Sequence, residues 1–304
     1  MKKILKKLLG KHYDTLIGLY LNVLGRISPK KLASIRYKMI SGRHINWDNP
    51  KDLNEKINWL KFYSDTSMWS VLADKYSVRE YIKAKGLETT LNDLYGVWDN
   101  PDNIDFNKLP NSFVLKSNNG CATVLIVRDK SKLDINQTRR LLKSWLKLRF
   151  GYTTAEPHYL KIKPLIIAEK LLYNKGEEKD SLTDYKVHCV NGQVAFILVC
   201  YDRTIGGSAK YQVLSADWEV IENSILNSYQ GNKAIPKPEL LHNLIEYSKI
   251  LSSGFPQMRV DWYIVDNKIY FGEITMTSAG GYDGSYTQSF LDTIGELIIL
   301  PKLK

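Results

Sequence analysis

The chain is short of several features that would each have fixed a function class. It has three cysteines, Cys121, Cys189 and Cys200, without metal-site spacing, and an odd number argues against a disulfide framework. That usage fits a reducing cytoplasm, the expected location. No long hydrophobic run is present: the apolar stretch from Leu16 to Leu24 is too short to cross a bilayer. The start lacks the apolar core and small-residue cleavage site of a signal peptide. No Gly-Lys-Ser or Gly-Lys-Thr follows a glycine loop, so a Walker loop is excluded. No nucleic-acid module accompanies the basic charge, so no nucleic-acid partner is expected. No internal repeat is evident. Acidic residues are scarce in one place only. Residues 1–40 hold ten Lys or Arg against the single acid Asp14, which accounts for most of the net charge of +11.

What is present reads as an ordinary globular protein. At 304 residues, with 11% aromatics, the chain can bury a substantial core. Residues 1–70 read as mostly helical. Ile4, Leu5, Leu8 and Leu9 stand at helical spacing among lysines. Such a helix either lies on an anionic membrane surface, at the inner face of the cell membrane, or docks on its own domain. Further helices are predicted over 52–63, 74–86 with a glycine cap at Gly86, 136–148, 238–251 and 288–299. Strands are predicted over 112–117, 123–127, 164–172, 184–190 and 194–199, the last two joined by Asn191-Gly192, a hairpin signal. Polar loops are expected over 98–111 and 175–181. Mixed helices and hairpins indicate an α+β fold.

The most informative stretch is Arg259-Val-Asp261 through Gly272-Glu273-Ile-Thr275, two β-rich segments around the turn residues Asp266-Asn267. A three-residue turn through Lys268 would set Asp261 opposite Glu273, Tyr263 opposite Phe271 and Val265 opposite Ile269. Opposed carboxylates lie about 5 Å apart at Cβ and repel, so they suit a hard divalent cation. A two-residue turn would instead send Glu273 to the other face of the sheet.

Other residues carry chemistry of the same kind. Lys116 interrupts an apolar strand and needs an anionic partner. It leads into Ser117-Asn118-Asn119-Gly120, a small-residue loop whose N–H groups can cradle phosphate oxygens. Glu169 breaks another apolar run before Lys170, Leu171 and Leu172, and a carboxylate or carbonyl there can accept from an adenine amino group. Lys186 lies near Asp184 on a third strand. His188 shares its face, a position more common for a core histidine than for a catalyst. Thr275 and the hydroxyls and glycines after it suit a loop that closes over phosphates, and a threonine hydroxyl can ligate Mg²⁺.

The order of these elements resembles the ATP-grasp superfamily. Asp74-Lys75-Tyr76-Ser-Val-Arg79, Val-Leu-Lys116-Ser-Asn, Asp184-Tyr-Lys186, Val260-Asp261-Trp-Tyr263 and Phe271-Gly-Glu273-Ile-Thr275 resemble its TupA-like branch, linked to teichuronopeptide and other surface-polysaccharide synthesis. The resemblance implies two α+β subdomains clamping ATP, a lid over about 112–172 and a metal-binding part over about 182–300. Together they make a domain over 71–300, and residues 1–70 form a basic helical segment outside it. ATP and Mg²⁺ are the implied cofactors. Lys116, Ser117, Asn118, Gly120 and Lys186 would hold phosphates, and Glu169, Lys170 and Leu172 would contact adenine. Asp261 and Glu273 would hold Mg²⁺. Thr275 stands where the family commonly has Asn, and is a candidate third ligand. Arg259 and Lys186 would steady the transferred phosphoryl group. The implied reaction makes an acyl-phosphate and then an amide, joining an amino acid to a uronic-acid-containing glycan or its precursor. Two alternatives remain: a phosphotransferase acting on a sugar or lipid-linked glycan, and a membrane-associated scaffold without turnover.

Overall fold

A computed structural model describes residues 12–174, 182–201 and 209–302, with side chains from Thr15 onward in the first span. The predicted helix over 1–11 and the loop over 175–181 lie outside the described residues. Helices α1 (His12–Ile27), α2 (Pro29–Ser41) and α3 (Leu53–Tyr63) come first, then the short α4 (Trp69–Leu72) and α5 (Val78–Ala84). Pro29 separates α1 from α2, since proline fits the first turn of a helix but not its interior. Gly42 ends α2 at φ 73°, its N–H returning to the Lys38 carbonyl. Asp52 caps α3 by accepting the Glu55 N–H at 2.8 Å.

Two antiparallel sheets follow. The first has the order β1 (Leu94–Trp98), β4 (Ile166–Glu169), β2 (Phe113–Ser117), β3 (Val124–Val127). Phe113, Leu115, Ile166 and Ala168 alternate onto one face, where Leu142 and Trp145 of α6 (Ile135–Leu146) cover them. Lys116 and Glu169 therefore belong to the opposite face. The second sheet has the order β7 (Lys210–Leu214), β6 (Gln193–Tyr201), β5 (Asp184–Val190), β8 (Gln257–Val265), β9 (Lys268–Thr275). Val187, Val260, Trp262 and Ile274 share a core with Leu244 and Leu251 of α8 (Leu241–Ser252). On the reverse face Phe196 and Leu198 pack against Phe290 and Ile294 of α9 (Gln288–Leu297). Where α9 does not reach, that face carries charged side chains.

The α+β reading holds, with local differences that have physical causes. α5 begins at Val78 rather than at Asp74, because the Asp74 carboxylate accepts the Tyr76 N–H and the Ser77 hydroxyl and holds a turn there. Gly86 follows it at φ 72°, as a helix stop should. β1 falls in a stretch not predicted as strand, and its pairing shifts register between Leu94 and Gly96. β7 and the short helix α7 (Phe150–Thr154) were also unforeseen. The strand predicted over 164–172 pairs only from Ile166 to Glu169.

Candidate active site

The acidic hairpin turns through two residues, Asp266 and Asn267, at φ 47° and 57°. This overturns the three-residue turn: Val265 pairs with Lys268 and Tyr263 with Tyr270, not with Ile269 and Phe271. Both turn residues tolerate left-handed backbone, and such a turn matches the twist of the flanking strands. On that register alone Glu273 would face away from Asp261. A bulge at Gly272 takes up one residue, and beyond it Asp261 pairs with Glu273 and Arg259 with Thr275. Gly272 is required there, since a Cβ would stand 2.9 Å from the Asp261 carbonyl oxygen. The two carboxylates are opposed as expected, by a different route.

Their charges are compensated within the protein. Lys186, paired with Asp261 across β5 and β8, places Nζ 2.6 Å from both Asp184 Oδ2 and Asp261 Oδ2. Arg259 donates through Nε to Asp261 Oδ1 at 2.6 Å and through Nη2 to Asp261 Oδ2 at 2.8 Å and Glu273 Oε1 at 3.1 Å. Lys75 Nζ approaches Glu273 Oε2 at 3.4 Å and donates to the Gly120 carbonyl at 2.8 Å. Three carboxylates thus meet three cations. Burial opposes ionisation of Asp261, but Arg259 and Lys186 outweigh it and hold the carboxyl below its usual range. Burial likewise opposes the Glu273 charge, and Lys75, Arg259 and Lys186 reverse the balance. At Asp184 burial prevails over Lys186 and pushes the carboxyl up. Burial disfavours the Lys186 ammonium, yet Asp261 and Asp184 raise it on balance. The Asp261 side chain is 3% exposed and that of Glu273 35%, so the glutamate forms the open side of the cluster.

The residues expected to face the nucleotide separate into two groups. Lys116 finds its anionic partner in Glu169, Nζ to Oε2 at 2.8 Å, and Arg79 approaches the other oxygen at 3.7 Å. Ser117 and Asn118 are engaged inside the protein. Ser117 Oγ lies 2.5 Å from Thr123 Oγ1. The Asn118 amide donates to Asp74 at 2.8 Å and to the Lys163 carbonyl at 3.0 Å, while its oxygen accepts the Leu165 N–H at 2.7 Å. Gly120 contributes its carbonyl to Lys75. Lys170 is exposed, its ammonium 3.6 Å from Asp93, and Leu172 is half-buried. Thr275 donates to Glu273 Oε1 at 3.2 Å, beside the acidic pair. His188 is a core residue stacked on Phe196 at 4.1 Å.

Several participants escaped the sequence reading. Lys75 joins the loop after β2 to Glu273, and Arg79 reaches Glu169 from the same segment. Both stood in a motif already singled out, without a role. Asp184 was noted only as a neighbour of Lys186. The largest omission is α3. Its residues Asn54, Asn58 and Lys61, one face at helical spacing, bind the backbone just past Thr275. Asn54 donates to the Asp283 carbonyl at 2.9 Å, Asn58 to that of Gly281 at 2.7 Å and Lys61 to that of Gly280 at 2.8 Å. Opposite them Thr277 Oγ1 donates to the buried Glu156. Burial pushes Lys61 down to about 7, against the pull of Glu156. Polar residues on the inner face of a helix were the available signal.

The model of the TupA-like ATP-grasp family matches residues 55–299. The chain belongs to that family. The match begins inside α3, so the helix that grips the loop past Thr275 is part of the family unit. ATP with Mg²⁺ is accordingly the cofactor pair. Solved structures with a similar fold include D-alanine–D-alanine ligase from Bacillus anthracis, complexed with ATP, at 17% identity and TM-score 0.39 over 68% of this chain and 54% of that one. D-alanine–D-alanine ligase from Helicobacter pylori gives 15% identity and TM-score 0.45 over 83% and 68%. L-amino acid ligase from Bacillus licheniformis gives 14% and 0.44 over 71% and 43%. This chain spans about half the length of the first and less of the third. At such identities and scores these likenesses add nothing to the family match. No curated protein matches the chain.

The residues present fit Mg²⁺ once Asp261, whose two oxygens accept from Arg259 and Lys186, gives up one of these partners. Among the described residues no group of three or more His, Cys, Asp or Glu forms a ready metal cage. Two opposed carboxylates and a hydroxyl are instead a sparse set of hard oxygens. That suits an ion which prefers one or two carboxylates and completes its shell with phosphate oxygens and water.

Proposed function

We propose that this ATP-grasp protein is an ADP-forming carboxylate–amine ligase, joining an amino acid to a hexuronic acid of a cell-surface polysaccharide or its precursor. The observation that supports the reading best is the Asp261–Glu273 pair with Lys186 and Arg259 bound across it. Phosphoryl transfer needs positioning and charge neutralisation more than covalent help from the protein. Asp261 and Glu273, with Thr275 beside them, would hold Mg²⁺, which neutralises phosphate charge when bound. Arg259 and Lys186 are kept cationic by Asp261, so both remain available to the charge that develops on the transferred group. On the other sheet Lys116 would meet nucleotide phosphate, and its present partner Glu169 would accept from the adenine amino group.

In this reading a substrate carboxylate takes the γ-phosphoryl group, giving an acyl-phosphate and ADP. The amine then attacks the acyl carbon, loses a proton and expels phosphate, leaving the amide. Loop 277–283, held by α3 and Glu156, lies next to Thr275 and would wall the acceptor side, protecting the acyl-phosphate from water. The test incubates the protein with Mg²⁺ and ATP and a panel of uronic acids and amino acids. ADP and phosphate should appear only when both a carboxylate and an amine are supplied. AMP as product, or stable transfer of labelled γ-phosphate to a sugar hydroxyl, would sink the reading.

A further inference from the structure

α1 carries apolar side chains on two sides, and the described residues cover only one of them. Leu21 and Leu24 pack with Leu32, Tyr37 and Ala155, and Gly25 fits against the Tyr152 carbonyl. The other side leaves Leu16, Leu19, Tyr20, Val23 and Ile27 exposed by 47, 62, 54, 46 and 78%. Steps of three and four residues put these five on one stripe about 100° wide. The stripe runs about 16 Å along the helix. The neighbouring α2 adds Met39 and Ile40, exposed by 58 and 55%. Scattered apolar residues on a surface need no cause, but a continuous row left uncovered by the described residues does.

Charge identifies what covers it. From Asp14 to Asp48 the sequence holds six Lys or Arg, and its only acids are those two end residues. Among the described residues no helix is long and apolar enough to cross a membrane. An apolar stripe with exposed cations, Lys31 and Lys38, on the next helix is the pattern of a surface lying in the plane of an anionic bilayer, its tyrosine at headgroup level. A second copy of the chain would bring two basic surfaces together, which costs free energy. We infer that the outer face of α1, with the basic residues of α2, is the surface by which this protein rests on an anionic membrane. The inference stands whether or not the ligase reading holds.

Vesicle sedimentation of the full chain tests it, with phosphatidylcholine alone and with phosphatidylcholine containing phosphatidylglycerol. Binding should require the anionic lipid and weaken with added salt. Leu19→Ser/Val23→Ser/Ile27→Ser should lower vesicle affinity by more than ~10-fold, since each loses most of a buried apolar side chain. Lys31→Glu/Lys38→Glu should lower it while leaving ATP affinity as it was, and unchanged ATP affinity of the triple variant shows that it still folds. Equal binding to neutral and anionic vesicles would overturn the inference. So would undiminished binding by the triple variant, or self-association of the chain that the triple variant abolishes. Binding seen only after removal of residues 2–11 would mean that those residues cover the stripe, which overturns it too.

Discussion

The two sheets hold the same kind of charged pair in opposite ways. On the four-stranded sheet Lys116 meets Glu169 with the lysine 28% exposed. On the five-stranded sheet Lys186 meets Asp261 and Asp184 with every partner at most 12% exposed, and Arg259 adds two further bonds to Asp261. The first arrangement is open only on the lysine side, Glu169 being 11% exposed, so the Lys116 ammonium can turn toward solvent while Arg79 stays near the carboxylate. The second is a buried network in which removal of one member strands the others without solvent. In the proposed function the first would serve the nucleotide and the second the reacting end.

That contrast can be broken at its strongest point by Asp261→Asn. The change keeps shape but leaves Lys186 and Arg259 short of charge, so unfolding stability should drop by about 3–5 kcal/mol. ADP formation should fall by at least ~10²-fold. Urea unfolding and a coupled ADP assay read the two effects, and near-normal values for both would remove the network from the reaction. Gly272→Ala comes next. Its Cβ would meet the Asp261 carbonyl, so the bulge must shift, at about 1–3 kcal/mol of overpacking. Turnover should fall with it, because without the bulge Glu273 leaves the Asp261 face. A fully active, unchanged variant would show that the bulge is dispensable.

On the other sheet Lys116→Ala should cost about 1–3 kcal/mol, since it leaves the buried Glu169 with only Arg79 at 3.7 Å. ATP affinity should fall by about 10-fold, near 1.4 kcal/mol. Calorimetric titration with ATP decides this, and unchanged affinity would take Lys116 out of the site. The smallest effect concerns acid. Burial, then Arg259 and Lys186, hold His188 well below its ordinary 6.5. Below that pH the unfolded chain binds a proton that the folded chain refuses, so the stability present above 6.5 declines as pH falls. His188→Phe, with a ring suited to the stack on Phe196, should flatten the decline. An identical slope in the variant would place the acid sensitivity elsewhere.

How far the sequence could be read varied with the range of the forces involved. Helix limits at Asp52 and Gly86 and the Asn191-Gly192 hairpin were legible, because capping and turn chemistry act over a few residues. The need of Lys116 for an anion was legible as well, but its partner lay 53 residues along the chain. The turn at Asp266-Asn267 and the bulge at Gly272 show the limit. Each shifts the register by one residue, and only pairing along the whole hairpin reveals that the two shifts cancel at Glu273. β1 and β7 were missed because short strands at a sheet edge are stabilised by the neighbour they pair with more than by their own pattern.

By itself, then, the chain determined which residue types stand in which order: two lysines, then an aspartate and a glutamate on neighbouring strands, behind a basic helical start. That order was enough to indicate the family, because the chemistry requires these charges whatever holds them. Tertiary structure alone decided that Lys75 reaches Glu273, that Arg259 spans both carboxylates and that α3 grips the loop past Thr275. The reason is physical. Electrostatic contacts and hydrogen bonds depend on distances of a few ångströms between residues far apart in sequence, and those distances do not exist until the sheets have packed.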